Sequence, residues 1–399
     1  MKKKPQQSLI SLFLREASQV VKDHSLLLTL LIAPLLYAFF YGSIYINKEE
    51  FDVKLAVVDD DGSRLSRLLQ QNIDDSPIVE LVHFSNLEQA KEQMYQGNCQ
   101  GYFYIPEGTE ANLLSLKQSN VVLAINAARF LPSSDLLLNV QQICLTVGAG
   151  VRLQYYQKKE GMSTTIAMEN VMPVNLDYRP LFNERSSYGA FLLPGLLALI
   201  LQQTLLIGLC ESVAGERQRS RLGEWLGSGI SNGIWGKGLF YLILFSSYGF
   251  FFLNVNYKLL NLPMRGSGFE LSLLLLLFIV TLIPMAQFIG SLFKSQLLCL
   301  QMMAFSTYPI FLITGYSWPF ESLPLALQWL SNLLPTTPFI VLYTSIVQSG
   351  ASLWDNPPVL LHLILLFAFY SIICFIRLKY LKKSYELYVL RIIMHIFKT

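Results

Sequence analysis

The stretch Leu271-Ser-Leu-Leu-Leu-Leu-Leu-Phe-Ile-Val-Thr-Leu-Ile-Pro-Met-Ala-Gln-Phe-Ile-Gly290 contains no charged side chain. A helix of about 20 mostly apolar residues crosses the roughly 30 Å of hydrocarbon in a bilayer with its backbone amides paired internally. Residues 26–46 and 188–210 are equally free of charge. These stretches predict a membrane protein with several helices that cross the lipid bilayer.

The composition agrees with this prediction. Of 399 residues, 53% are hydrophobic and 14% are charged, and the mean hydropathy is +0.42. The formal net charge is only +3, and the basic residues cluster beside apolar segments. Such clusters orient a membrane protein, so we expect membrane lipid and no nucleic acid among its partners.

Six segments have the length and apolar character of spanning helices. They are residues 25–46, 188–211, 234–254, 270–291, 297–317 and 358–378. With six spans, the basic residues at Lys2 to Lys4, in residues 211–237 and after the sixth span all fall on one side. The positive-inside rule makes that side the cytoplasm, which predicts a multi-pass inner (plasma) membrane protein with both termini cytoplasmic. The short segment with Lys258 and Arg265 departs from this pattern.

The two ends of the chain are predicted to lie at the cytoplasmic surface. Residues 1–24 approximate a helical stripe of apolar side chains, which predicts an amphipathic helix on the inner leaflet. A solvated N-terminal helix is the alternative. Residues 381–399 form a cytoplasmic tail.

Residues 47–187 have the composition of a soluble domain. Four segments have strand character: Val53 to Val58, Ile78 to Phe84, Gln100 to Ile105 and Val121 to Ala127. Helical patterns alternate with them, which predicts an α/β sheet layer. The fold class is therefore an α-helical polytopic membrane protein with six transmembrane helices and an inserted α/β extracytoplasmic domain between spans one and two.

Two features of this domain invite further interpretation. Asp59, Asp60 and Asp61 follow a strand, where three carboxylates can bind a hard cation or cap the next helix. We expect no metal site, because no Cys/His spacing suggests one. Cys99 and Cys144 are able to form a disulfide only if the domain faces an oxidising compartment.

The sequence lacks the motifs of a nucleotide-driven motor or an enzyme. It contains no G-x-x-x-x-G-K-[ST] loop, no H-E-x-x-H and no G-x-S-x-G, so no catalytic residues and no bound cofactor are expected. The main polar side chains within the spans are Gln202, Gln203, Gln287 and Gln301. They either line a path or form hydrogen bonds between helices.

Several stretches resemble the permease subunits of the ABC type-2 transporter family, which have one span, a large outer domain and five more spans. Their order along the chain carries the resemblance. They are Phe13-Leu14-Arg15-Glu16 with Lys22-Asp23, Pro34 and Gly42; Arg179-Pro180-Leu181-Phe182-Asn183 with Phe191-Leu192-Leu193-Pro194-Gly195-Leu196; Glu216-Arg217-Gln218-Arg219 with Gly236-Lys237; and Gly315 through Trp318-Pro319-Phe320, Leu323-Pro324, Trp329-Leu330 and Leu334-Pro335 to Pro338.

The resemblance implies a cytoplasmic coupling loop, residues 211–237, that docks into a separate ABC ATPase carrying the ATP and Mg. Six residues would make that contact: Glu216, Arg217, Arg219, Arg221, Glu224 and Trp225. Trp225 would serve as an aromatic anchor inside a charged rim. A solvated basic loop that only sets topology is the alternative.

The resemblance also implies an outer re-entrant hairpin at residues 315–340 that forms an outer gate. Its candidate residues are Trp318, Pro319, Phe320, Pro324, Trp329 and Pro335. Broken helices at membrane depth require shielding by protein or by a water-filled cavity. A surface loop with interfacial tryptophans is the alternative.

The predicted function is the permease subunit of an ATP-driven exporter. The resemblance implies a second permease, as homodimer or heterodimer, and the outer domain would contact substrate or a periplasmic adaptor. A sensor and a non-transporting anchor or assembly factor are the rival interpretations. The residue pattern selects no substrate.

Overall fold

The structure, a computed structural model, describes residues 8–44, 51–172, 179, 181–183 and 188–396, with side chains as far as Leu387. The chain forms two compact units, one of Met1–Lys48 with Pro180–Thr399 and the other of Glu49–Arg179. The predicted basic start at Lys2 to Lys4, the predicted boundaries at 46–47 and 187–188, and the end of the tail lie outside the described residues.

The N-terminal segment forms two consecutive helices, α1 (Leu9–Lys22) and α2 (His24–Ile44). The Ser8 side chain caps α1 by accepting a hydrogen bond from the Ser11 amide. Asp23 adopts an extended conformation between the helices and accepts a hydrogen bond from the Ser25 amide. Asp23 therefore ends α1 and begins α2.

The unit Glu49–Arg179 is an α/β layer whose strands occupy the segments that the sequence predicts. Its elements are β1 (Val53–Asp59), α3 (Arg64–Asp74), β2 (Val79–His83), α4 (Leu87–Tyr95), β3 (Gly101–Ile105), α5 (Thr109–Leu114), β4 (Val122–Ile125), α6 (Phe130–Lys158) and α7 (Thr164–Val171). The strand order is β2-β1-β3-β4. β1 runs parallel to β2 and β3, whereas β4 is antiparallel to β3. Helical crossovers join the parallel strands, as that geometry requires.

Side chains alternate across this sheet. Leu55 and Val57 pack on one face with Leu136 and Val140 of α6, and Ala56 and Val58 pack on the other face. Cys99 belongs to the second cluster and Cys144 to the first. The two thiols lie on opposite faces of the sheet and are free, so the disulfide considered from the sequence is not formed.

The three consecutive aspartates act as hydrogen-bond acceptors that fix the turn and the following helix. Asp59 accepts from the Gly62 amide and from the side chains of Ser66 and Gln70. Asp60 accepts from the Tyr104 hydroxyl. Burial alone would raise the pKa of Asp61, but its hydrogen bonds outweigh this and lower the pKa. Within the described residues, no group of three or more His, Cys, Asp or Glu side chains has the geometry of a metal site.

The other unit is helical after residue 188. Its helices are α8 (Tyr188–Gln218), α9 (Leu222–Trp225), α10 (Ile230–Leu259), α11 (Gly268–Gly290), α12 (Gln296–Ile313), α13 (Leu325–Asn332), α14 (Thr336–Ser349) and α15 (Pro357–Ile396). The chain is therefore a polytopic helical membrane protein. Within the described residues, seven helices are long and apolar enough to cross a membrane. Six correspond to the predicted spans, and the seventh is α6 of the α/β unit.

Helices α8 and α11 form the centre of the helical unit. Gly290 at the end of α11 lies directly against the α8 backbone, where a Cβ atom would come within 2.6 Å of the Cys210 carbonyl oxygen. Nearer the start of α11, Phe278 stacks on Phe339 of α14 with ring centroids 3.8 Å apart. Close backbone approach at small residues is the usual way in which membrane helices pack.

We predict that Gly290→Ala destabilises the protein by about 1–3 kcal/mol, because the neighbouring backbone cannot rotate away as a side chain can. Gly268→Ala at the start of the same helix is the matched control, since no atom lies within 4 Å of a Cβ there. Thermal unfolding of the two purified variants in detergent checks this. Equal unfolding temperatures would contradict the close α8–α11 contact.

Candidate functional site

A carboxylate lies in the buried stripe of α1. The buried positions of this helix are Leu12, Glu16 and Val20, each four residues apart and therefore on one face. Glu16 is only 2% exposed. An ionised carboxylate at such a position is tolerated only when charged and hydrogen-bonding partners surround it.

Helices α8 and α10 provide those partners. Glu16 accepts hydrogen bonds from Lys237 Nζ at 2.5 Å, from Ser212 Oγ at 2.6 Å and from the Tyr241 hydroxyl at 2.8 Å. Lys237 is itself 2% exposed. The pair is therefore a buried salt bridge supported by two hydroxyl donors.

A second buried carboxylate, Glu216, extends this arrangement. It accepts from Arg15 Nη2 at 2.7 and 2.9 Å, and it lies 3.4 Å from Lys237 Nζ. We call Arg15, Glu16, Glu216 and Lys237, with their hydroxyl partners, the charge cluster. It contains two acidic and two basic side chains, and the exposed Glu224 carboxylate lies 3.6 Å from Arg15 Nη2. It joins α1, the end of α8 and the start of α10.

Trp225 belongs to the same region and faces inward. Its side chain is 1% exposed, its Nε1 donates to the Gly233 carbonyl at 3.0 Å, and Lys237 Nζ lies 5.4 Å from its ring centre. Trp225 is the last residue of α9 and belongs to the buried core together with Leu222 and Leu226. The expectation of an aromatic anchor offered to another protein does not fit this placement, since the chain has already buried the ring.

The other predicted coupling residues divide into inward and outward groups. Glu216 is 3% exposed and lies in the charge cluster. The Arg217 guanidinium donates to the carbonyls of Ser291 and Phe293, at the end of α11. Arg219, Arg221 and Glu224 are exposed. These three residues form the outer rim of the coupling loop.

The four glutamines have different surroundings. The Gln202 side chain accepts from the Thr336 hydroxyl, and Gln287 donates to the Ile234 carbonyl at 2.9 Å, so both join neighbouring helices. Gln203 is buried, and its amide has no hydrogen-bond partner in the described part of the chain. Gln301 is exposed on α12. The structure therefore does not bring these four residues together on one surface.

The predicted hairpin at residues 315–340 contains a sharp break. Pro324 and Pro335 precede α13 and α14, whose axes differ by 80°, the geometry of a broken span or a re-entrant loop. Trp318 and Trp329 are 56% and 75% exposed. The remaining candidates, Pro319 and Phe320, lie at the single-turn helix Phe320–Ser322.

The sequence alone does not assign the charge cluster. Arg15, Glu16 and Lys237 lie within the stretches that resemble the family, whereas Ser212 and Tyr241 lie in none of them. One signal was present: Glu16 interrupts an apolar stripe at four-residue spacing between Leu12 and Val20. A carboxylate on the buried face of an amphipathic helix indicates a basic partner on another element.

We predict that Lys237→Met lowers the free energy of unfolding by about 3–5 kcal/mol, because it leaves Arg15 as the only basic side chain of the charge cluster beside two buried carboxylates. Lys258→Met, at an exposed position of the same helix, is the matched control. The double variant Glu16→Gln/Lys237→Met removes one charge of each sign and regains part of the loss. Unfolding temperatures in detergent measure these three variants and the single variant Glu16→Gln. A loss in the double variant equal to the sum of the two single losses would contradict the pairing.

Comparison with known proteins agrees with the helical architecture. The family model described as ABC-2 family transporter protein matches residues 24–376. The probable multidrug ABC transporter permease YbhS of Escherichia coli, in strains K12 and O157:H7, is 21% identical over 387 residues, which cover 94% of this chain and 97% of the relative. Membership implies a non-enzymatic transport subunit that associates with an ABC ATPase. This chain belongs to the ABC-2 transporter family and is a transport permease subunit.

Proposed function

We propose that this chain moves its substrate out of the cell, driven by a separate cytoplasmic ATPase that docks on the coupling loop. The observation that carries the proposal is the two-sided character of that loop. Its apolar side, with Trp225 and Leu226, is buried in the helical unit, whereas Arg219, Arg221 and Glu224 face outward. Exposed charges of both signs around a rigidly seated helix suit a polar docking rim.

Force applied at this rim would reach the spans through the charge cluster. Glu216 lies in the last turn of α8, before the loop, and Lys237 lies in the first turns of α10, after the loop. Both contact α1, through Arg15 and Glu16 respectively. Separating these side chains would leave buried charges unpaired, so the three helices would move together when the ATPase changes shape.

The topology of the proposal has six spans, with both termini cytoplasmic and the α/β unit outside the inner membrane. Helix α6 is long enough to cross, but Leu136 and Val140 pack in the core of the sheet. It also carries Asp135, Arg152 and Lys158. These features support a place for α6 in the outer unit, and the basic residues around the coupling loop support a cytoplasmic loop.

The proposal includes a second permease. Helix α12 presents a largely unburied apolar surface that includes Leu297, Met302, Phe305 and Tyr308. A homodimer or heterodimer would enclose a path between the two copies, with Gln203 and the bent pair α13–α14 as candidate lining and outer gate. The outer unit would contact the substrate or a periplasmic adaptor. Because the relative YbhS is a probable multidrug permease, a drug-like molecule is the first substrate class to test.

We predict that Arg221→Glu lowers co-purification of an ABC ATPase with the tagged permease from native membranes on the order of tenfold, because it reverses a charge on the docking rim. Lys383→Glu, an exposed position on the last helix, is the control. Equal ATPase recovery from both variants, at equal permease levels, would contradict docking at this rim.

A further inference from the structure

A cleft of about 470 Å³ opens where α1 meets α2 and the coupling loop. Four side chains that line it carry basic groups: Lys22, His24, Arg219 and Arg221. Asp23 is the acidic residue in the lining. The cleft shares none of the four charged side chains of the charge cluster, and Lys22 and His24 do not belong to the docking rim.

The acidic residue of the cleft is already neutralised. Asp23 Oδ2 accepts from Arg219 Nη2 at 2.9 Å and from Gln296 Nε2 at 2.9 Å. Burial alone would raise the pKa of the Asp23 carboxyl, but these hydrogen bonds outweigh it and lower the pKa. Asp23 is therefore ionised at neutral pH and paired with Arg219.

The other three basic side chains have no such partner. Among the residues that the structure describes, Lys22, His24 and Arg221 form no side-chain hydrogen bond or ion pair. Two full positive charges and an imidazole donor line the same opening. Like charges that line one opening repel one another, and a bound anion would relieve that repulsion.

Apolar surfaces on both sides place the cleft at the level of lipid headgroups. On α1, Ile10, Leu14 and Val21 are 68%, 58% and 66% exposed, and Val21 directly precedes Lys22. On α2, Leu28 lies one turn after His24 and is 57% exposed. An amphipathic helix followed by a span lies with its exposed apolar side chains in the acyl region and its basic ends among headgroups.

We propose that this cleft binds the phosphate headgroup of an anionic phospholipid, with the acyl chains running along Val21 and Leu28. A water-soluble acidic partner would have no use for those exposed apolar side chains. A lipid satisfies both the basic lining and the apolar flanks. Basic pockets beside membrane helices are known to select anionic headgroups in this way.

The test uses the full-length protein in detergent, with phosphatidylglycerol or phosphatidylcholine added and bound lipid counted by native mass spectrometry. The wild type is expected to retain phosphatidylglycerol in preference to phosphatidylcholine. Lys22→Gln/His24→Gln is expected to weaken this retention about five- to tenfold. Lys22→Arg/His24→Lys keeps a basic side chain at both positions and is expected to retain the lipid.

The matched control is Lys379→Gln/Lys383→Gln, at exposed positions near the end of the last span. It removes two full charges, so nonspecific attraction predicts a larger effect for the control than for the cleft variant. The cleft proposal predicts the reverse. Unfolding temperatures of all variants separate lipid loss from misfolding, because the charge-retaining variant reports on folding at the same two positions.

Four outcomes would overturn the proposal. Equal retention of the two lipids removes the headgroup selectivity, and equal loss in cleft and control variants makes the effect nonspecific. Displacement of the lipid by excess inorganic phosphate alone indicates a free-anion site. Unchanged lipid retention with reduced ATPase recovery in Lys22→Gln/His24→Gln assigns the cleft to the ATPase. This last result leaves ATP-driven export intact. It is distinct from a failure of the docking rim, because Lys22 and His24 do not belong to that rim.

Discussion

The buried ion pair between Lys237 and Glu16 is the constraint on which the membrane unit depends. Their side chains are each about as inaccessible to solvent as the apolar core around them. Removing such charges from water costs several kcal/mol per ion, and close partners must offset that cost. Glu216 and Arg15 complete the balance. Helix α1 is consequently held at a fixed position relative to the adjoining ends of α8 and α10, which are distant from it in sequence.

This constraint explains why the coupling loop divides into an inner and an outer side. Glu216 and Lys237, near the two ends of the coupling loop, both belong to the charge cluster. Trp225, in the middle of the loop, packs its ring against Lys237. The loop therefore has little freedom to collapse, and Arg221 and Glu224 stay exposed. A rim that is displayed by a rigid base is a suitable place for a partner to apply force.

Periodicity and charge in the sequence predicted the elements well, because long apolar runs and strand-helix alternation are local signals. The long apolar helices and the strands of the α/β unit lie where these patterns place them. The role of Trp225 was not predictable in this way. An aromatic residue in a short charged loop can pack on its own chain or on a partner, and only the tertiary positions of Gly233 and Lys237 distinguish the two.

Pairings between distant residues were the other part that the sequence did not reveal. All three glutamines are polar residues in apolar surroundings, but they differ in what they contact. Gln202 contacts α14, Gln287 contacts α10, and Gln301 is exposed. Hydropathy reports whether a segment is buried in lipid, not which helix it contacts. Glu16 is the exception among these pairings. A carboxylate in the apolar stripe of a helix indicates a basic partner, although the sequence does not show which residue it is.

The account depends on the coupling loop and the α/β unit lying on opposite sides of the membrane. Single cysteines at Asn72 and Glu224, introduced into a chain whose native cysteines are replaced, are to be labelled with a membrane-impermeant maleimide. Both positions are exposed. The account predicts that intact cells label Asn72→Cys only, and that Glu224→Cys reacts after permeabilisation. Labelling of both in intact cells, or of neither before permeabilisation, would contradict it.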